Sequence, residues 1–208
     1  MASDVLRRAL VDTRDPDPRP LPDRVVDLLC RVDAPPRLAA HLRLVHDVAW
    51  RIAGWVERDY PDVGFDREEV LFGAATHDIG KVVHPNELCG PGHAHELAGY
   101  ELLYDNGVEA RLARFTCTHG TWSEPGLALE DLLVCVADKI WKGARAARLD
   151  DLVVGHLVAG GTRGRERWSV FAALDDLLTD LAADADLRLE FQARHPVYTA
   201  PRGARRVV

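Results

Sequence analysis

His77 and Asp78 place an imidazole and a carboxylate side by side within Ala-Ala-Thr-His-Asp-Ile-Gly-Lys, residues 74–81. At the end of a helix, such a pair offers one ring nitrogen and one carboxylate oxygen from a single rigid turn. That donor set suits a hard-to-borderline divalent metal. The dipeptide alone says little, and His46-Asp47 is a second one in the same chain. The order of the surrounding donors says more: His41 stands before the pair, and His95, His119 and Asp138 follow it. Six such residues exceed what one ion normally takes from protein. Their nitrogen and oxygen donors, with no thiolate among them, argue against a structural zinc site and leave Mn, Fe, Co, Ni or Zn open.

Lysine usage points to the same region. Of 26 basic side chains only Lys81, Lys139 and Lys142 are lysines, and each closely follows Asp78 or Asp138. An ammonium is a compact charge with rotatable donors, suited to phosphate. Lys81 and Lys142 are therefore expected to contact an anionic substrate; the plain alternative is chance placement of solvated side chains. His84 and His93 lie between the donors and could touch a substrate or protonate a leaving group, or be solvated loop residues. Glu96 could orient His95 or His119. Arg145 reads as ordinary surface.

Hydrophobic periodicity supplies helices to hold these groups. It predicts them over residues 4–11, 23–32, 37–59, 95–106, 109–118, 129–148, 150–159 and 167–194, with no convincing strand. Asp66, with Glu69 three residues on, reads as the capping start of the helix that carries His77 and Asp78. In the helix over 37–59 the apolar stripe runs Leu38, Leu42, Val45, Val48, Ala49, Ile52, Trp55 and Val56. At about 100° per residue, His41 falls inside that stripe and His46 at its polar edge. A buried unpaired polar group costs about 1–3 kcal/mol, so His41 needs a partner that a metal would provide, and His46 is expected at the surface or behind the donors. The fold class is all-α, an orthogonal helix assembly. Residues 1–22 read as a helix and a proline-rich arm, 23–194 as one domain with its motif core at 36–148 and further helices at 150–194, and 195–208 as a loose basic tail. The long helix over 167–194 would cover the core or offer a face to a second copy.

Composition narrows the function classes. A hydrophobic fraction of 47% supports a sizeable core. A net charge of −7 argues against a general nucleic-acid surface or an anionic-membrane surface, while leaving room for a local cationic pocket. Cys30, Cys89, Cys117 and Cys135 are widely spaced and read as reduced thiols of a cytoplasmic protein. The first residues lack the apolar core of a signal peptide, and no apolar run reaches the roughly 18–20 residues that span a bilayer.

The ordered set His41, His77-Asp78 and Asp138 resembles the signature of the HD superfamily of metal-dependent phosphohydrolases. The inserted His95 and His119 resemble its two-metal subset, which includes the HD-GYP and cyclic-nucleotide phosphodiesterase types. Local contexts agree: His77-Asp-Ile-Gly-Lys81 is similar to the HDIG form, His95 has its glycine at Gly99, and Asp138-Lys139 follows an apolar run. The resemblance covers about residues 36–148. It departs at His119-Gly-Thr-Trp-Ser, which lacks the His-His-Glu and Gly-Tyr-Pro elements and argues against cyclic-di-GMP cleavage. What the resemblance implies is a binuclear centre of divalent transition metals. One ion would take His41, His77, Asp78 and Asp138; the other would take His95, His119 and the second oxygen of Asp78. A hydroxide generated between them would attack a small phosphoester, with nucleotides the leading class, Asp78 and Lys81 catalytic, and Lys81, Lys142 and His84 contacting substrate. Two other readings stand beside it. One is a di-iron oxygenase of the same fold acting on an organophosphonate or polyol, which the lysine at Lys81 disfavours. The other is a non-catalytic HD-like module, which tends to lose donors.

Overall fold

The computed structural model describes residues 2–198. Among them the chain forms eleven α-helices and two 3-10 turns and no strand, the all-α class read from the sequence. No helix among the described residues is long and apolar enough to cross a membrane.

Helix α3 (Pro36–Asp59) is the axis of the assembly. Pro36 opens it, at a position where the missing N–H would have been unpaired in any case. The expected stripe is buried, but so are Ala39, Ala40, Arg43, Leu44 and His46 on its other sides. A helix buried on several sides must be covered on more than one face, and α3 is left open only along its second half, at Trp50, Glu57 and Arg58. One core packs the C-terminal half of α3 with α4 (Arg67–Thr76), α8 (Leu129–Ile140), α9 (Ala147–Gly160) and α10 (Arg167–Ala183), through residues such as Ile52, Leu71, Leu133, Val153 and Leu178. A second core packs its N-terminal half with α1 (Asp4–Val11) and α2 (Asp23–Arg31), through Leu6, Leu29, Leu38 and Leu42.

Residues 2–22, set apart above as part of an N-terminal addition, thus share a core with α3. Arg43 fastens them: its buried guanidinium donates to the carbonyls of Ala9 and Asp12 at 2.9 Å and of Pro18 at 2.7 Å. The expectation for His46 is corrected for the same reason. The N-terminal segment lies along α3 there, with the Arg19 N–H on Asp47 at 3.3 Å, and His46 is only 4% exposed.

Three expected helices end early or divide. Residues 109–118 form two short helices, α6 (Ala110–Ala113) and α7 (Phe115–Thr118), which meet at Arg114. The helix over 129–148 stops at Ile140 because Gly143 adopts φ +74°, and the N–H groups of Gly143 and Ala144 fold back onto the carbonyls of Ile140 and Lys139. The helix over 167–194 breaks at Asp184, and α11 (Ala185–Ala193) turns back toward the end of α8. There the buried Arg188 donates to the carbonyl of Trp141 at 2.6 Å and to that of Leu181, satisfying carbonyls that helix ends leave without partners. Between the helix that ends at Thr76 and His93 the chain forms two 3-10 turns, Ile79–Val82 and Pro85–Leu88. His195, placed in the loose tail, is buried against Phe191, and Arg37 binds the carbonyls of His195 and Pro196. The rest of that tail, 199–208, lies outside the described residues.

Candidate metal centre

Five elements deliver the six donors to one place. His41 comes from the first half of α3, His77 and Asp78 from the turn that ends α4, His95 from the start of α5 (Ala94–Asp105), His119 from the end of α7, and Asp138 from α8. Asp66 caps α4 by accepting the Glu69 N–H at 3.1 Å, as expected. Glu69 does not reach back to complete the box; its carboxylate takes Arg114 at 2.8 Å. Arg114 also donates to the buried Asp131 at 3.0 Å, and Asp131 accepts the Thr118 hydroxyl at 2.8 Å. This network ties α4, α7 and α8 together directly behind His119.

Gly80 explains the glycine of the motif. A Cβ there would lie 1.9 Å from the His95 carbonyl oxygen and 2.5 Å from the Gly99 nitrogen. The Ile79–Val82 turn therefore lies backbone to backbone on α5, and Gly99 leaves the matching space opposite. That close approach brings Asp78 to His95.

Asp78 stands between two groups of donors. Its Oδ2 lies 3.0 Å from His41 Nε2 and 3.7 Å from His77 Nε2. Its Oδ1 lies 3.0 Å from His95 Nε2 and 3.5 Å from His119 Nε2. Asp138 Oδ1 completes the first group, 3.3 Å from His77 Nε2 and 3.9 Å from His41 Nε2. His41, His77 and Asp138 could hold one ion, and Asp78, His95 and His119 another.

The imidazoles are turned for that role. His77 Nδ1 donates to the Ala74 carbonyl and His119 Nδ1 to the Phe115 carbonyl, each at 3.0 Å. A carbonyl only accepts, so each Nδ1 carries the proton and each Nε2 turns a lone pair inward. His95 Nδ1 meets the Glu87 carboxylate at 2.5 Å, with the same consequence. Nitrogens of neighbouring rings then face one another at 3.3 Å (His41 and His77) and 3.4 Å (His95 and His119). Buried lone pairs and carboxylates that converge in this way suit a cation beyond the Lys81 ammonium on Asp78.

The electrostatics agree. Burial opposes ionisation of Asp78 and Asp138, yet the adjacent imidazoles, His77 foremost, hold both below the usual carboxylate range. Burial pushes His41 down, and it takes His119 to about 4, with the His77 charge adding to the effect. For His77 and His95 burial is outweighed by the carboxylates, Asp78 above all, which raise both. Two ionised carboxylates among rings competing for protons are a fitting environment for divalent ions.

Five of the donors, all but the fully buried His77, form the floor of a cleft of about 410 Å³, also lined by Lys81, Lys139, Lys142, Leu88, His93, Trp141 and Gln192. All three lysines of the chain thus line it. Lys81 Nζ reaches inward to Asp78 Oδ2 at 2.5 Å. His84 is not among the lining residues: it precedes the Pro85–Leu88 turn, and His93 from the same stretch takes the cleft position. Glu96 pairs with His93 Nδ1 at 2.8 Å rather than with a donor of the centre. Arg145 is occupied by Asp150 and Asp175.

Comparison with protein families gives one result. A model of the HD domain matches residues 39–141, the stretch that contains all six donors. The chain carries an HD domain. Neither the characterised proteins nor the solved structures compared with it gave a match. HD domains bind divalent metals, and their superfamily consists mostly of metal-dependent hydrolases. The HD match stops at residue 141, so Lys142, in the turn after α8, and Gln192, in α11, are cleft residues contributed from beyond it. Leu88, Trp141 and Gln192, which line the cleft, and Glu87, which holds His95, are the residues that sequence reasoning missed. Glu87 sits in a turn eight residues before its partner, where no periodicity applies. Gln192 reaches the cleft only because the last helix breaks at Asp184.

Proposed function

We propose that this HD domain is a metal-dependent phosphohydrolase acting on a small phosphoester, with nucleotides the leading class. The observation that carries the reading is the position of Asp78. One of its oxygens faces the triad of His41, His77 and Asp138 and the other the pair His95 and His119, in a cleft lined by every lysine in the chain. His41, His77 and Asp138 would hold one divalent ion, and His95 and His119 the other, with Asp78 between them. Ions drawn from Mn, Fe, Co, Ni or Zn supply, when bound, an activated water and charge neutralisation for a phosphoryl group.

The protein's own groups do the rest. The cationic wall of Lys139 and Lys142 draws an anionic group to the floor of an otherwise acidic molecule. Lys81, half-buried beside Asp78, is placed to offset charge that grows on phosphoryl oxygens during displacement. Trp141 and Leu88 provide apolar surface for the organic part of the ester. The lysine at the floor favours this reading over an oxygenase, since it adds an anion-binding charge at the reacting position.

The deciding experiment pairs metal analysis of the purified protein with phosphate release from a nucleotide panel, in air and without oxygen. Two ions per chain with oxygen-independent release is the expected result. Two irons with turnover only in oxygen would replace it with the oxygenase reading, and a centre that cannot be loaded would leave a binding module.

A further inference from the structure

The two halves of the centre are supported differently. His77 and His119 are held by carbonyls of their own helices. His95 is held by a carboxylate from outside its helix, Glu87 in the Pro85–Leu88 turn. The Glu87 carboxylate accepts from His95 Nδ1 at 2.5 Å, and from the backbone N–H groups of Ala94 and His95 at 3.2 and 3.3 Å. It therefore fixes the first turn of α5 and the ring together. The chain makes room for it: a Cβ at Gly92 would lie 2.4 Å from Glu87 Oε1. The turn is itself fastened at its flanks, where Asn86 accepts the Tyr198 hydroxyl at 2.7 Å.

We infer that Glu87 is a positioning residue for the second metal ion only. Its carboxylate orients His95 Nε2 and raises the basicity of that ring, so the ion held by Asp78, His95 and His119 depends on the 85–92 loop while the ion held by His41, His77 and Asp138 does not. This rests on the two-metal reading above; counting Asp78 for both ions, the His95 side has three donors against four and is the weaker position. Carboxylates that hold a ligating histidine typically contribute 10–100-fold in metal affinity.

The test is equilibrium Mn²⁺ binding to the full chain, with stoichiometry and the two dissociation constants read by calorimetry, for the parent, Glu87→Gln and Gly92→Ala. Glu87→Gln keeps the shape and removes the charge; Gly92→Ala displaces the carboxylate and keeps it. In both variants the second ion is expected to bind about 10–100-fold more weakly, with the first constant unchanged. The magnetic-coupling signature of a manganese pair should be lost at concentrations where the parent retains it. A purely structural role would weaken both ions together and lower the melting temperature in step, and that outcome would overturn the inference, as would two unchanged constants. A parent that binds one ion at saturation would instead remove the two-metal reading on which the inference stands. Should Gly92→Ala fail to fold, Glu87→Gln decides alone.

Discussion

Lys81 holds a position at which two requirements compete. Its ammonium lies 2.5 Å from Asp78 Oδ2, the oxygen that faces His41 and His77. As a cation beside a donor it opposes a divalent ion there; as a cation at the floor of the cleft it favours a phosphoryl group. Substitution by a neutral chain of similar length separates the two effects. Lys81→Met is expected to bind metal several-fold more tightly, because Asp78 loses a competing partner. The same variant is expected to turn over a phosphoester roughly 100-fold more slowly, in the range found when one charge-stabilising donor is removed. Metal titration and steady-state kinetics on one preparation check both directions. Tighter metal with unchanged turnover would confine Lys81 to balancing the charge of Asp78. The spacing of Lys81 from Asp78 was legible in the sequence because both lie in one short motif at a helix end, and so was the order of the six donors along the chain. Glu87 was not, because its partnership with His95 depends on how a loop folds back.

At the level of elements, the donors depend on backbone surfaces that meet without side chains between them. Gly80→Ala is the sharpest probe, since its methyl group would sit 1.9 Å from the His95 carbonyl oxygen. The obstacle is backbone on a packed helix rather than a side chain that can rotate. The Ile79–Val82 turn and α5 must separate, at a cost of about 1–3 kcal/mol or more for an overpacked contact. Denaturant unfolding should show that loss, and the same displacement should impair metal binding on the His95 side more than on the His41 side. Equal metal affinity in a destabilised variant would mean that the approach of these elements serves stability alone. Helix positions were readable from periodicity and caps, and Asp66 caps α4 as its sequence suggests. Helix ends were harder. Gly143 carried the usual mark of a terminus within the run taken as one helix, and its positive φ shows why the run stops. The break at Asp184 has no comparable mark. It follows from Arg188, whose guanidinium serves carbonyls at the ends of α8 and α10, a contact between residues 47 positions apart.

Among the described residues, the N-terminal segment and α11 close on α3 from two sides, and this burial links stability to pH. His46 was expected at a polar edge because a helical wheel knows only its own helix; the N-terminal segment, packed through Arg43, supplies the cover. Burial, with the nearby charges of Arg19 and Arg67, pushes the His46 imidazole down to about 4, against about 6.5 in an unfolded chain. Between these values the unfolded chain binds a proton that the folded one refuses, so stability rises with pH across that window. The contribution is fully present above about pH 6.5, is lost as pH falls toward 4, and changes no further below it. At 1.36 kcal/mol per unit, the loss between pH 7 and pH 5 is about 2 kcal/mol. His41, His119 and His195 are also held low by burial, so the slope of the parent alone does not isolate His46. His46→Leu does, because it removes one titrating group and keeps an apolar side chain of similar volume. In metal-loaded protein, where the donors of the centre are pinned, the parent should lose about 2 kcal/mol more than His46→Leu between pH 7 and pH 5 by urea unfolding. Parallel losses in the two proteins would mean that His46 takes up its proton in the folded state, and so that the N-terminal cover over α3 opens readily in solution.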